Sequence, residues 1–272
     1  MAMASPLAAK SLGGEAAHLQ VQGLYAKLEP LKVLERFVSQ KLRPDGRGFG
    51  ERRAVTVKRW HGAELITLGG GTQALGAVEA VVSDEPGPLL AFEVSCGTSA
   101  RDAAWARSLN WLLDEVFAEA TLPRGDLRVD EQRAWRLVVR VTCVADCGGL
   151  VDACILAATA ALRRAALPAF EAAAARPVPL RLLPLPLTCA VAAGEAVLAD
   201  PTPQEEALCA LVTVVCGARA DDAANVALLK LRQAAGGTAT TPDALDAAVR
   251  LAFHFAPESL EVVSRAAADE SH

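Results

Sequence analysis

Two adjoining runs constrain this chain most: "AWRLVVRVTCVAD" at residues 134–146 and "CGGLVDACILAATAALRRAALP" at residues 147–168. The first has a nearly continuous apolar centre and reads as a long strand, with burial expected on both faces. The second follows paired glycines and reads as an alanine-rich helix ending near Pro168. Alanine puts few side-chain obstacles in the way, so such a helix suits close packing on a sheet. The chain has 272 residues, of which 52% are hydrophobic and 4% aromatic. That composition excludes a disordered or fibrous molecule and implies a core of Ala, Leu and Val.

The flanking sequence supplies the other elements. In "EPLKVLERFVSQ" (29–40), Leu31, Val33, Leu34, Phe37 and Val38 share one helical stripe, and Pro30 suits a first turn. "RAVTVKRW" alternates as a strand. "AELITLGGGTQALGAVEAVVS" reads as two strands joined at Gly69–Gly71, and "LLAFEVSC" as a further short strand. Residues 101–119 form an amphipathic helix with Ala104, Leu109, Leu112, Leu113, Val116 and Phe117 on its broad face. The proline-punctuated stretch "ARPVPLRLLPLPLTCAVAAGE" is expected to hold edge strands. "AVLADPTPQEEALCALVTVVCGA" reads as strand, proline turn, strand, and residues 242–268 as a helix containing Pro257. The order predicts one α+β domain over residues 29–268, with flexible tails at 1–28 and 269–272.

Charge and cysteine content narrow the function classes. The formal net charge is −5, so there is no global basic field for non-specific nucleic-acid binding, and any RNA contact must be local. Low aromatic content argues against a broad base-stacking platform. The seven cysteines are odd in number and sit mostly in apolar runs, which suits reduced, buried thiols of an intracellular protein. Cys143 and Cys147 have no second pair and no neighbouring His, so no metal site is expected there. No apolar stretch is long enough to predict a membrane span.

Candidate chemistry is sparse. His18 and His272 lie in the tails, His61 in a turn, and His254 on a helix between Phe253 and Phe255. "LGGGTQALG" lacks phosphate-loop spacing and reads as a hairpin turn. Asp200, Glu205 and Glu206 cluster in "ADPTPQEEA", where they can hold Mg²⁺, serve as acid and base, or simply line a turn. Arg43, Arg47, Arg52 and Arg53 in "RPDGRGFGERR" suit a phosphate-binding strip, or ion pairs with Asp45 and Glu51 at a subunit contact.

Four motifs in order resemble one family: "EPLKVLERFVSQKLRPDGR", "LGGGTQALGAVEAVVS", "CGGLVDACILAATAALRRAALP" and "VLADPTPQEEALCALVTVV". Together they resemble the RNase PH-like ring subunits of the RNA exosome, over about residues 29–267. Within that family the opening is most similar to the eighth numbered human component, and the last motif equally to the seventh. The resemblance implies a single RNase PH-like domain (ribosomal protein S5 domain 2-like), with mixed sheets packed against alanine-rich helices. Active members carry a Gly-Ser/Thr-Arg-Thr run where this chain has Gly149, Leu150, Val151 and Asp152. They also carry two aspartates six residues apart, matched here to Glu206 and Val212. Leu150 and Val151 cannot hold an anion, Asp152 repels one and is expected to act as a cap or first-turn acid, and Val212 cannot protonate a leaving group.

The resemblance therefore implies a non-catalytic subunit with no cofactor and no metal. Its implied partners are other RNase PH-like subunits in a hetero-hexameric ring, S1/KH cap subunits, associated exoribonucleases and single-stranded RNA in the channel, with no membrane. The implied location is nucleus and nucleolus, and also cytoplasm. The family also implies Arg101 and Arg107, near the start of a helix that faces the pore, as RNA contacts. The alternative is an active phosphate-dependent 3′–5′ exoribonuclease with a displaced or shared site using Asp200, Glu205 and Glu206.

Overall fold

The computed structural model describes residues 27–84, 87–97, 101–170, 174–192, 195–234 and 240–268. Apart from residues 27 and 28, the expected tails lie outside them. Helix α1 (Pro30–Ser39) precedes four strands: β1 (Val55–Trp60), β2 (Ala63–Leu68), β3 (Thr72–Ser83) and β4 (Leu90–Ser95). Helix α2 (Ala103–Val116), strand β5 (Ala134–Ala145) and helix α3 (Leu150–Arg164) follow. Next come short strands β6 (Ala166–Leu167) and β7 (Arg176–Pro177), then β8 (Leu183–Val191), β9 (Val197–Ala199) and helix α4 (Pro203–Leu208). Strands β10 (Ala210–Arg219) and β11 (Asp222–Gln233) lead to the last helix, α5 (Pro242–Ala268).

The strands form a five-stranded sheet in the order β1-β2-β3-β5-β4 and a four-stranded sheet in the order β11-β10-β8-β9. Strand β4 runs parallel to β5, so the first sheet is mixed. This is the α+β architecture expected from the element order.

Helix α3 lies between the sheets. Twelve of its fifteen residues are buried, and Ala153, Ala157 and Ala161 are among them. Its backbone approaches β3 so closely that a Cβ on Gly76 would stand 2.2 Å from the Ala157 carbonyl oxygen. Small residues on both elements permit that approach, as the composition implies. The other face of the four-stranded sheet packs on α5: Leu185, Leu187, Val212, Val214 and Cys216 meet Ala248, Ala252 and Leu260 in a second core.

Several expectations need correction. Strand β5 buries one face only: Leu137, Val139, Val141 and Cys143 are enclosed, whereas Arg140 on the other face is exposed. Its outer residues contact solvent because the helices cover a single face of that sheet. On α2 the buried stripe includes Ala106 in place of Ala104, which is exposed. The proline-rich β8 is an inner strand, buried along its whole length. It accommodates Pro184 and Pro186 because β9 pairs only with Cys189, Ala190 and Val191, leaving one side of the proline segment without a ladder. The segment 200–209 is more than a turn. Thr202 caps α4 reciprocally with Glu205 in a Thr-x-x-Glu capping box. Among the cysteines, Cys143, Cys154, Cys189, Cys209 and Cys216 are buried, and Cys96 and Cys147 partly so.

Candidate functional site

The N-terminus of α3 meets the β9–α4 turn at one end of the two sheets. Gly148 and Gly149 enter the helix with φ of +83° and +70°, a conformation that favours glycine. Space demands glycine as well: a Cβ on Gly148 would lie 2.4 Å from the Pro201 carbonyl oxygen. Free N–H groups and the helix dipole make such an end an anion site.

The chain fills that site itself. Glu206, on α4, accepts the Gly149 N–H at Oε1 (2.6 Å) and Arg101 Nη2 at Oε2 (2.7 Å). Arg101 also donates through Nε to Asp146 Oδ2 at 2.6 Å. Burial works against the Arg101 charge, but these two carboxylates more than offset it and raise its pKa.

A second set of ion pairs fixes the same turn from behind. Asp200, at φ +49°, accepts Arg47 Nη1 (2.8 Å) and three donors of Arg53: the backbone N–H, Nε and Nη2. The Arg53 guanidinium also reaches the carbonyls of Cys147 and Gly148, at 2.7 and 2.8 Å. Arg43 is enclosed and makes a two-point bridge to Glu205 (2.9 and 2.6 Å). Arg47 does pair with Asp45, and Arg52 bonds Ser259. Arg43 also lies 3.8 Å from Asp45, and Arg52 pairs with Glu258 at 3.1 Å. Otherwise Arg43, Arg47 and Arg53 bind Asp200 and Glu205 within the chain, and Glu51 offers Arg43 and Arg47 only its backbone carbonyl. The sequence reading placed their partners too locally, because contacts across 150 residues leave no periodic trace.

Asp152 points away from the helix end. Its carboxylate accepts the Thr188 N–H (2.7 Å) and Thr188 Oγ1–H (2.6 Å) on β8, and Thr188 Oγ1 meets Thr213 Oγ1 at 3.0 Å. It is thus a first-turn acid but not a cap. Burial, reinforced by the charges of Asp200 and Glu206, pushes its pKa up to about 7 despite the Thr188 bonds.

Beside this network opens a cleft of about 640 Å³, lined by Arg101, Trp105, Leu150, Val151, Glu206 and Arg232 among others. Arg232 Nη2 donates to Ser108 Oγ at 2.5 Å. Leu150, Val151 and Glu206 therefore do come together with Arg101. Val212 does not join them. On β10 the odd positions Leu211 and Thr213 line the cleft, whereas Val212 is fully buried on the α5 side. The strand alternation puts any side chain at 212 into the second core. Arg107 is exposed on α2 and does not line the cleft. Sequence reasoning missed Arg232, Ser108, Thr188 and Asp146. Asp200, Glu205 and Glu206 each hold a guanidinium, and among the described residues no cluster suited to a metal ion occurs.

No family model matches the sequence. Solved structures do match. A chain of an archaeal exosome core superposes with a TM-score of 0.74 at 22% identity, over 89% of this chain and 98% of that one. A chain of the Archaeoglobus fulgidus exosome with RNA bound to the active site gives 0.73 at 22% identity, over 88% and 98%. The fold is RNase PH-like. Rice (Oryza sativa) Rrp46 shares it at a TM-score of 0.62 and 16% identity, over 81% of this chain and 97% of that one. In this RNase PH-like chain the anion-binding end of α3 is covered by an internal carboxylate, and apolar Leu150 and Val151 flank it.

Proposed function

We propose that this chain is a non-catalytic RNase PH-like subunit of an exosome-type ring, supporting the passage of RNA to separate 3′–5′ exoribonucleases. One observation carries the reading: Glu206 sits on the Gly149 N–H and holds Arg101. Phosphorolysis needs inorganic phosphate held where backbone N–H groups and a cation converge. Here both the N–H and the cation are engaged by a carboxylate of the same chain. An incoming phosphate would have to displace Glu206 and then remain beside its negative charge. Leu150 and Val151 offer no hydroxyl or guanidinium in compensation.

The partners proposed are other RNase PH-like subunits in a hetero-hexameric ring. S1/KH caps and exoribonucleases complete the assembly, in the nucleus, nucleolus and cytoplasm. The fold likeness to exosome core chains supports this assembly, and the four motifs favour a subunit similar to the eighth, then the seventh, numbered human component. The test is purification of the tagged full chain from its own cells, with its partners identified and phosphate-dependent release of nucleoside diphosphates assayed on the chain alone. A stoichiometric set of RNase PH-like and S1/KH proteins, with no release by the isolated chain, is expected. A lone homo-oligomer that consumes RNA in phosphate overturns the proposal.

A further inference from the structure

The turn between β1 and β2 gathers Lys58, Arg59, Trp60 and His61, all exposed, in a protein whose net charge is −5. Trp60 pairs with Ala63 at the last rung of the hairpin, leaving His61 and Gly62 as a two-residue turn. Both have positive φ, +48° and +85°, so the turn is tight and projects its side chains rigidly. The indole of Trp60 is 53% exposed and stands edge-on to the His61 ring at 4.8 Å between centroids.

The cations are not consumed internally. Among the described residues Lys58 and Arg59 form no ion pair within 4.0 Å. The carboxylate beneath the tip, Glu64, is buried and lies 3.4 Å from Arg164 at the end of α3. Arg59, Gly62, Glu64 and Arg164 border a hollow of about 150 Å³ beside the hairpin. Its wall carries the Glu64 carboxylate, whose buried oxygens accept no hydrogen bond, so the hollow does not suit an anion and the cations act at the exposed hairpin itself. Strand alternation places Lys58 and Trp60 on one face of the sheet and Arg59 on the other, toward α3.

An exposed indole with Lys58 on its own face and Arg59 across the strand, neither in an ion pair among the described residues, suits a strand that carries both unstacked bases and phosphates. A protein partner would more readily meet an apolar patch, and the tip offers only one large apolar ring. We propose that the β1–β2 hairpin tip binds single-stranded RNA, with a base on Trp60 and backbone phosphates at Lys58 and Arg59. The inference builds on the RNA role proposed above and locates a contact outside the cleft. Low aromatic content spoke against a broad stacking surface, but one well-placed ring is enough for one base.

The test is binding of a fluorescent 20-nucleotide oligouridine to the full chain, with ultraviolet crosslinks mapped by mass spectrometry. Trp60→Ala is expected to weaken binding by about tenfold. Lys58→Ala with Arg59→Ala is expected to weaken it and to reduce the slope of log K against log salt by about 1 to 2. Crosslinks are expected in the hairpin peptide. Unchanged affinity in both variants, or crosslinks confined to other segments, overturns the proposal. So does loss of a protein partner, rather than of RNA, on changing Trp60. Intact partners without hairpin binding overturn this inference alone, whereas hairpin binding without RNase PH-like partners overturns only the assembly reading.

Discussion

The end of α3 and the β1–β2 hairpin tip treat charge in opposite ways. At the helix end, Arg43, Arg47, Arg53 and Arg101 are each bonded to carboxylates from distant segments, and the Gly149 N–H is engaged by Glu206. At the hairpin, Lys58 and Arg59 face solvent with no carboxylate in ion-pair range among the described residues. The first region uses charge to hold four chain segments together; the second leaves charge available to a ligand. The comparison shows that a count of arginines says little about binding. Where their carboxylates lie decides whether they are structural.

The contrast is broken most severely at the buried pair. Glu205→Ala leaves the Arg43 guanidinium enclosed without a counter-charge and removes half of the α4 capping box. The expected loss is about 3–5 kcal/mol, read as a fall in the urea midpoint. Replacing both partners, as Arg43→Met with Glu205→Leu, is expected to recover most of it. A single Glu205→Ala change costing under 1 kcal/mol means the network is not what fixes the turn.

The second effect depends on pH. The pKa of Asp152 is about 7 in the folded protein against an ordinary value of 3.8, so the folded state holds the proton more tightly. Stability from this group is complete below about pH 4 and declines as the pH rises toward 7. Asp152→Asn removes the titration and can still bond Thr188, since Thr188 Oγ1 has Thr213 as a second partner. The variant is expected to gain on the wild type between pH 4 and 7, by about 2–4 kcal/mol at pH 8. Parallel stability curves across that range sink this account.

The legible and illegible parts of the molecule divide along the same line. Periodicity disclosed α1, α2, α3, α5 and most strands, because burial repeats at 3.6 or 2 residues. The glycine turn at 69–71 and the alanine-rich nature of α3 were equally direct. Proline marked strand segments with an open side, as at Arg176–Pro177 of β7 and at Pro184 and Pro186 of β8, but it did not disclose that β9 covers the Cys189–Val191 end of β8. The site was half visible. Leu150, Val151 and Glu206 were singled out, and the structure unites them. Val212 was counted along the chain without regard to the strand face that β10 imposes. The Thr202-x-x-Glu205 signature of α4 lay in plain sight within "ADPTPQEEA". The pairing of Arg53 with Asp200 had no such signal, because it depends on tertiary closure.

A gentler change sharpens the comparison at the cleft. Glu206→Ala frees the Gly149 N–H and one side of Arg101. The stability cost is expected to be about 1–2 kcal/mol, since the lost bonds are partly open to water. The variant is also expected to gain thermal stability as phosphate is added, whereas the wild type responds no more to phosphate than to a chloride salt at equal ionic strength. Binding to the folded state alone raises the melting temperature with ligand concentration. A wild-type chain stabilised specifically by phosphate means that Glu206 does not close the site.

The smallest effect on stability belongs to the hairpin, and its smallness is the point. Lys58→Ala and Arg59→Ala remove exposed side chains that make no ion pair among the described residues, so each is expected to shift unfolding by less than about 0.5 kcal/mol. Arg59 lies nearest to a structural role, because its charge acts on buried Glu64 together with that of Arg164. Arg164 remains 3.4 Å from Glu64 after the change and keeps that carboxylate supplied with a counter-charge. A loss well above 1 kcal/mol in Arg59→Ala alone would show that Arg164 does not suffice, and would move Arg59 into the same structural class as Arg43. Near-neutral stability with weakened RNA binding keeps the two regions distinct.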